Sequence, residues 1–267
     1  SAASDVYKRQ VLGVFGEIVR RLILLETKMW WRNSRLLILF FLFAFFGITS
    51  PVLIYYMKEF LATFGGTEGT IILMPDPNWK ALMESYFSNI SQIGLFVLVY
   101  FTADTFKLKK ESSLGLYYST VARNSFILWT PKLILAFLVT LVSNLVGVVS
   151  ATYVTWVFFP EIELGRVLSA SLLQSLALLT LVIFGSAVAV WTRKAFLAVV
   201  SAIVLMVVSS IIQTLSDISD WLPLSLLSPI NVLNAPGQVN FGTVSICVGI
   251  IVLSIIAILV RPLRVKY

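Results

Sequence analysis

No histidine occurs among the 267 residues and only one cysteine, Cys247. Without histidine there is no His-based metal ligation, no Ser-His or Cys-His nucleophilic pair and no zinc-protease motif. A lone cysteine, placed inside an apolar run, allows neither a Cys cluster nor an internal disulfide. Charge is also scarce: 12% of residues are charged, about half the soluble norm of roughly 25%. No GxxxxGK[ST] pattern occurs, so the chain holds no ATP by a P-loop of its own, and the run Gly65-Gly66-Thr67-Glu68-Gly69-Thr70 lacks the Lys that a phosphate loop needs.

What is abundant is long apolar sequence: 58% of residues are hydrophobic and the mean hydropathy is +0.94. Six runs reach or exceed the ~20 residues that a helix needs to cross ~30 Å of hydrocarbon: Leu36–Met57, Tyr86–Phe106, Leu133–Phe159, Val167–Trp191, Ala195–Leu215 and Phe241–Val260. The expected fold class is therefore all-α, a polytopic integral membrane protein of six transmembrane helices. With no repeat and no low-complexity linker, residues 35–267 read as one six-span domain.

The connectors between the runs differ in charge. With the N-terminus placed on the cytoplasmic side, fifteen Lys and Arg fall in the cytoplasmic segments, among them Arg35, Lys107, Arg123, Lys132, Arg193 and Arg261. Three, Lys58, Lys80 and Arg166, fall opposite, beside eight Asp and Glu. Lys and Arg bias a connector to the cytoplasmic face while acids weigh little, so both termini are expected to be cytoplasmic. The net charge of +7 is accounted for by these membrane-flanking residues and by contact with the lipid bilayer, and implies no nucleic-acid partner.

Apolar residues recur at Val11, Phe15, Ile18, Leu22, Leu25 and Met29, with Glu17, Arg21, Lys28 and Arg32 on other faces. Residues 11–34 are expected to form an amphipathic interfacial helix on the cytoplasmic surface, with Trp30 and Trp31 at headgroup depth and a break at Asn33-Ser34. Before it, Asp5-Val6-Tyr7-Lys8-Arg9-Gln10 resembles the translation of a sequencing adapter, so residues 1–10 are expected to be a non-native leader. Two connectors are unusual. Lys107–Thr130 is basic and then apolar at Leu114-Leu116-Tyr117-Tyr118, which fits helices on the cytoplasmic surface. Ser216–Asn240 carries Trp221-Leu222-Pro223-Leu224-Ser225-Leu226-Leu227-Ser228-Pro229, apolar but broken by two prolines; it fits short helices dipping into the outer leaflet, where an irregular backbone must be covered by protein or line water.

The expected span interiors lack Asp, Glu, Lys and Arg, which counts against an ion-coupled carrier, since coupling needs a group that loads and releases charge at depth. Their buried polar residues, Ser143, Asn144, Gln174, Ser186 and Gln213, either line a pathway or hydrogen-bond one helix to another.

The run Lys110-Glu111-Ser112-Ser113-Leu114-Gly115, continuing through Ser119-Thr120-Val121-Ala122-Arg123 to Lys132, resembles the first cytoplasmic loop of the permease subunit of type-2 ATP-binding-cassette (ABC) exporters. The likeness extends to the interfacial helix, the span count and the Leu227-Ser228-Pro229 segment, although Thr120 stands where that family commonly has proline and Pro131 where it often has glycine. The resemblance implies a permease working as a homodimer or as a heterodimer with a similar permease. It further implies a separate ABC ATPase subunit that binds the ATP, leaving this chain without enzymatic activity or cofactor of its own. Its coupling loop would use Glu111, Gly115, Arg123 and Lys132, and Asn144, Gln174 and Gln213 would be the pathway candidates. A secondary carrier or channel, and a non-transporting membrane scaffold, are the alternatives.

Overall fold

The computed structural model describes residues 2–64, 77–107, 125–215, 223–227, 229–234 and 241–261. Among them all regular structure is helical. Helix α1 (Ala2–Arg32) is followed by α2 (Arg35–Phe64), α3 (Trp79–Asn89) and α4 (Leu95–Thr105), with a π turn over Ile90–Gly94 joining the last two. Then come α5 (Ser125–Phe158), α6 (Leu164–Thr192), α7 (Ala195–Leu215), a 3-10 turn at Pro223–Leu226, α8 (Ile230–Asn234) and α9 (Phe241–Val260). Six crossings are long and apolar enough to span a membrane: α2, the α3–α4 pair, α5, α6, α7 and α9. The chain is an all-α, multi-pass membrane protein.

The expected spans match these helices, ending at most one residue beyond them, but two helices begin about two turns earlier than expected. The second starts at Trp79, where Asn78 accepts a hydrogen bond from the Ala81 N–H at 2.9 Å, the side-chain cap that starts a helix. Its first turns are less apolar, yet Leu82, Met83, Tyr86 and Phe87 form one buried face. The third is continuous from Ser125, so residues 125–130, expected on the membrane surface, belong to the span. Pro131 lies inside this helix and Pro51 inside α2. Proline has no N–H to give the carbonyl four residues earlier, a loss that membrane helices tolerate when neighbours cover the freed group. Residues 108–124, which include most of the Lys107–Thr130 connector, lie outside the described residues.

Helix α6 is central. The apolar window of α6 is 67% buried, against 22–28% for α2, α7 and α9. Its small residues allow that: a Cβ added to Gly185 would stand 2.8 Å from Val99 of α4, so the helices meet through a missing side chain. Outward faces carry Phe41, Leu53, Tyr153, Leu172 and Leu253, exposed as a bilayer-facing surface would be.

Helix α1 runs from Ala2, through the residues expected to be a non-native leader. Among its described side chains, from residue 16 on, Leu22, Glu26 and Trp30 are buried, one turn apart, and Ile18 and Leu25 pack against the same core. The apolar stripe thus faces α5 and α2, and Trp30 is a core residue where headgroup depth was expected, while Trp31 is exposed. The break before α2 occurs where expected: Ser34 adopts a left-handed conformation at φ 56°, and its carbonyl accepts from the Ile38 N–H at 3.0 Å.

Candidate functional site

One end of the bundle gathers the basic residues. Arg35, opening α2, pairs with Asp104 at the end of α4, and Lys107 reaches the other oxygen of Asp104 at 2.5 Å. The Arg35 guanidinium stands 6.0 Å from the Trp30 ring centre, within cation–π range. Beside this cluster, Lys132 Nζ lies 2.8 Å from Glu26 Oε1, the two side chains being 5% and 2% exposed. The same ammonium donates to the Thr105 carbonyl at 2.5 Å. Three separate elements, α1, α4 and α5, therefore converge on one buried amine. Phe106 stacks on Trp129 above it, with ring centres 5.8 Å apart and planes within 8°.

A buried ion pair loses hydration on both partners, and a net benefit requires good geometry with further hydrogen bonds. Here the Thr105 carbonyl supplies one. Removing either partner would take from a buried charge its counter-ion at 2.8 Å, so the pair helps to fix how α1 sits on the bundle. Lys132, expected as the residue opening the third span, is instead buried in its second turn. Glu26 was missed because a carboxylate next to Lys28 and Arg32 reads as part of a wet face. The signal was its spacing: it falls on the Leu22–Trp30 face, which the structure buries.

A second polar cluster lies within the spans. Tyr86 Oη donates to Asn144 Oδ1 at 3.5 Å, and Asn144 Nδ2 donates to Ser175 Oγ at 2.8 Å and to the Ser171 carbonyl at 3.4 Å. One residue away on α6, Gln174 Nε2 donates to the Phe87 carbonyl at 3.1 Å and the Leu227 carbonyl at 3.4 Å. Ser91 Oγ lies 2.7 Å from both of those carbonyls. A hydroxyl has a single proton for two acceptors, and Gln174 supplies the donors that Ser91 cannot. Gln174 Oε1 and Ser143 Oγ are buried without a hydrogen-bond partner.

This cluster explains the proline-broken connector. Leu227 is bonded at the level of Gln174, whereas the Leu233 carbonyl accepts from Arg166 Nη1 at 3.3 Å. Eight positions on α6 separate the two contacts, a rise of about 12 Å, so the chain dips toward the bundle at Leu227 and climbs back. The 3-10 turn packs on α6, α7 and α9, and α8 on α6 and α3, with Ser91 of the π turn bonded to Leu227, so the irregular backbone is covered as a broken segment at depth must be. The π turn itself lies against the dip, with Ser91 as its second residue.

Of the pathway candidates, Asn144 and Gln174 are thus brought within one helical turn of each other, both tying helices together. Ser186 bonds within its own helix, to the Val182 carbonyl at 2.8 Å. Gln213 is in α7, and its side chain lies outside the described residues. The coupling candidates Glu111, Gly115 and Arg123 also lie outside the described residues. No group of three or more His, Cys, Asp or Glu suited to a metal occurs among the described residues. Comparison with protein-family models, with curated proteins and with solved structures finds no match.

Proposed function

We propose that the chain is the membrane-spanning permease half of an ATP-driven ABC exporter in the cell membrane, both termini cytoplasmic. ATP is bound and hydrolysed by a separate ATPase subunit, and the permease works as a homodimer or with a similar permease. The observation that carries this reading is the buried Glu26–Lys132 pair with the Thr105 carbonyl. A subunit that takes its energy from outside the membrane needs a stiff element on that side, so that a push displaces spans instead of bending a linker. Helix α1, locked to the ends of α4 and α5 by one ammonium, has that property. The loop with Glu111, Gly115 and Arg123 joins the same two spans, and force applied to it acts on the helices that Lys132 holds together.

An ion-coupled carrier is less well supported. Among the described span residues, the Lys, Arg, Asp and Glu side chains stand in the end turns: Arg35, Lys58, Glu59, Lys80, Glu84, Asp104, Lys132 and Arg166. At mid-depth the polar groups are neutral amides and hydroxyls, which bind without loading charge.

The test is charge reversal at Glu111 or Arg123, with Glu84→Lys at the opposite end as control. Expression and dimerisation should persist, while association with the separate ATPase subunit, or substrate-stimulated ATP turnover, falls. Wild-type ATPase binding and transport in both reversals would sink the exporter reading.

A further inference from the structure

Helices α6 and α9 end side by side at the basic end of the bundle. The Trp191 Nε1–H donates to the Ala257 carbonyl at 3.1 Å, which fixes the indole against α9. Over that ring, 6.0 Å from its centre, stands the guanidinium of Arg261. The backbone of Arg261 is held in turn, its carbonyl accepting from Ser125 Oγ of α5 at 2.9 Å. Two residues beyond Trp191, Arg193 caps α6 in a left-handed conformation at φ 59°, its N–H bonded to the Ala189 carbonyl at 2.8 Å. Such a position favours glycine or asparagine, so an exposed arginine there is held at some backbone strain. Lys194 follows, also exposed.

These cations have no carboxylate of their own among the described residues. The described acids of this end are Glu17, Glu26 and Asp104, bonded respectively to Arg21, to Lys132, and to Arg35 and Lys107. Burial, and then repulsion from Arg193, hold the Arg261 guanidinium below its ordinary pKa. Helix C-termini attract cations, and this accounts for one arginine at each helix end. It does not account for seating the Arg261 guanidinium of one helix over the Trp191 ring of another, two residues from Arg193, so that cations of two helices share one end of the indole.

We propose that Arg193, Lys194 and Arg261, on the Trp191 ring, form a binding site for the phosphate of an anionic phospholipid. Guanidinium groups match phosphate oxygens in a two-pronged fashion. A lipid is favoured over free phosphate because the site is flanked by exposed apolar side chains, Phe196 of α7 and Ile256 and Val260 of α9, along which an acyl chain can run. Tryptophan at this level is the residue type found at headgroup depth. The site does not depend on the exporter reading: it would serve any membrane protein of this architecture.

Purified full-length protein in neutral detergent, titrated with dioleoyl phosphatidylglycerol or dioleoyl phosphatidylcholine and read by native mass spectrometry, tests this. The wild type should retain the anionic lipid preferentially, and Arg193→Ala with Arg261→Ala should weaken that retention roughly tenfold or more, as expected for two lost charges near a lipid surface. Lys80→Ala, which removes a single cation 5.8 Å from the Trp79 ring at the opposite end, should change nothing. A second reading needs no cation variant: acyl-brominated phosphatidylglycerol should quench the fluorescence that Trp191→Phe removes, and brominated phosphatidylcholine should quench it less. Equal retention or equal quenching by the two lipids overturns the site. Displacement of the anionic lipid by equimolar inorganic phosphate overturns the assignment to lipid.

Discussion

The hydroxyl of Tyr86 occupies the space that a side chain on Gly147 would need, so α3 meets α5 across a bare backbone. A Cβ at Gly147 would collide with that hydroxyl and stand 3.0 Å from the Phe43 carbonyl oxygen of α2. The approach is mutual, since a Cβ on Gly47 would stand 2.5 Å from the Gly147 carbonyl and 2.8 Å from Ser150 Cβ. Three helices are therefore packed at a distance that only glycine permits.

Gly147→Ala is expected to lose about 1–3 kcal/mol of stability, the usual range for overpacking a filled interior. Adding Tyr86→Phe removes the nearest obstacle and should restore part of the loss, leaving the contact with the Phe43 carbonyl. Gly249→Ala, where nothing lies within 4 Å of the new Cβ, should be neutral or stabilising by up to ~1 kcal/mol through helix propensity. Unfolding midpoints in mixed detergent micelles decide the matter, and equal effects at Gly147 and Gly249 would contradict the packing.

The Glu26–Lys132 pair should behave as a unit. Glu26→Gln or Lys132→Met alone takes from the other buried charge its counter-ion at 2.8 Å and is expected to lose about 3–5 kcal/mol. The double substitution should lose clearly less than the sum of the two. The same unfolding measurement, run as a double-mutant cycle, checks this; additive losses would mean that the charges do not act on each other.

Gln174→Leu should loosen the dip at Leu227. It removes the amide that donates to the Phe87 and Leu227 carbonyls; because Phe87 also accepts from the Ile90 N–H, Ser91 can give its one proton to Leu227 and the loss is that of a hydrogen bond, about 0.5–1.5 kcal/mol. The readout is local: a cysteine at buried Leu226, in a Cys247→Ala background, should react faster with a soluble maleimide in the Gln174→Leu protein than in its parent. Unchanged reactivity would show that Gln174 does not hold the segment.

The spans were legible because hydrocarbon thickness imposes a length and an apolar composition that nothing else in the chain imitates. Their starts were less so. Trp79–Ser85 and Ser125–Lys132 contain Lys80, Glu84 and Lys132, and a window that counts charge cannot distinguish a helix end in water from one whose charge is neutralised inside. Lys132 needed Glu26, 106 residues away and on a helix read as lying on the surface, and no local pattern records such a pairing. Asn144 and Gln174 were identifiable as polar residues in apolar runs. That both bind neighbouring helices depends on the π turn at Ile90–Gly94 and the dip at Leu227, whose geometry arises only when the helices pack.

The orientation of the chain in its membrane follows from charge. Arg35, Lys107, Lys132, Lys194 and Arg261 stand at one end of the bundle and Lys58, Lys80 and Arg166 at the other, within a distribution of fifteen against three over the connectors. Lys and Arg resist translocation during insertion, whereas the acidic residues opposite weigh little, so the basic end should face the cytoplasm. In a Cys247→Ala background, Thr70→Cys should react with an impermeant maleimide in intact cells, and Ser112→Cys and Arg264→Cys only after permeabilisation. Position 112 bears most weight, because the connector containing it lies between the two spans whose ends Lys132 joins. If it reacts from outside in intact cells, the basic end faces outward, Glu111 and Arg123 are out of reach of any ATP-driven subunit, and the exporter reading fails together with the topology.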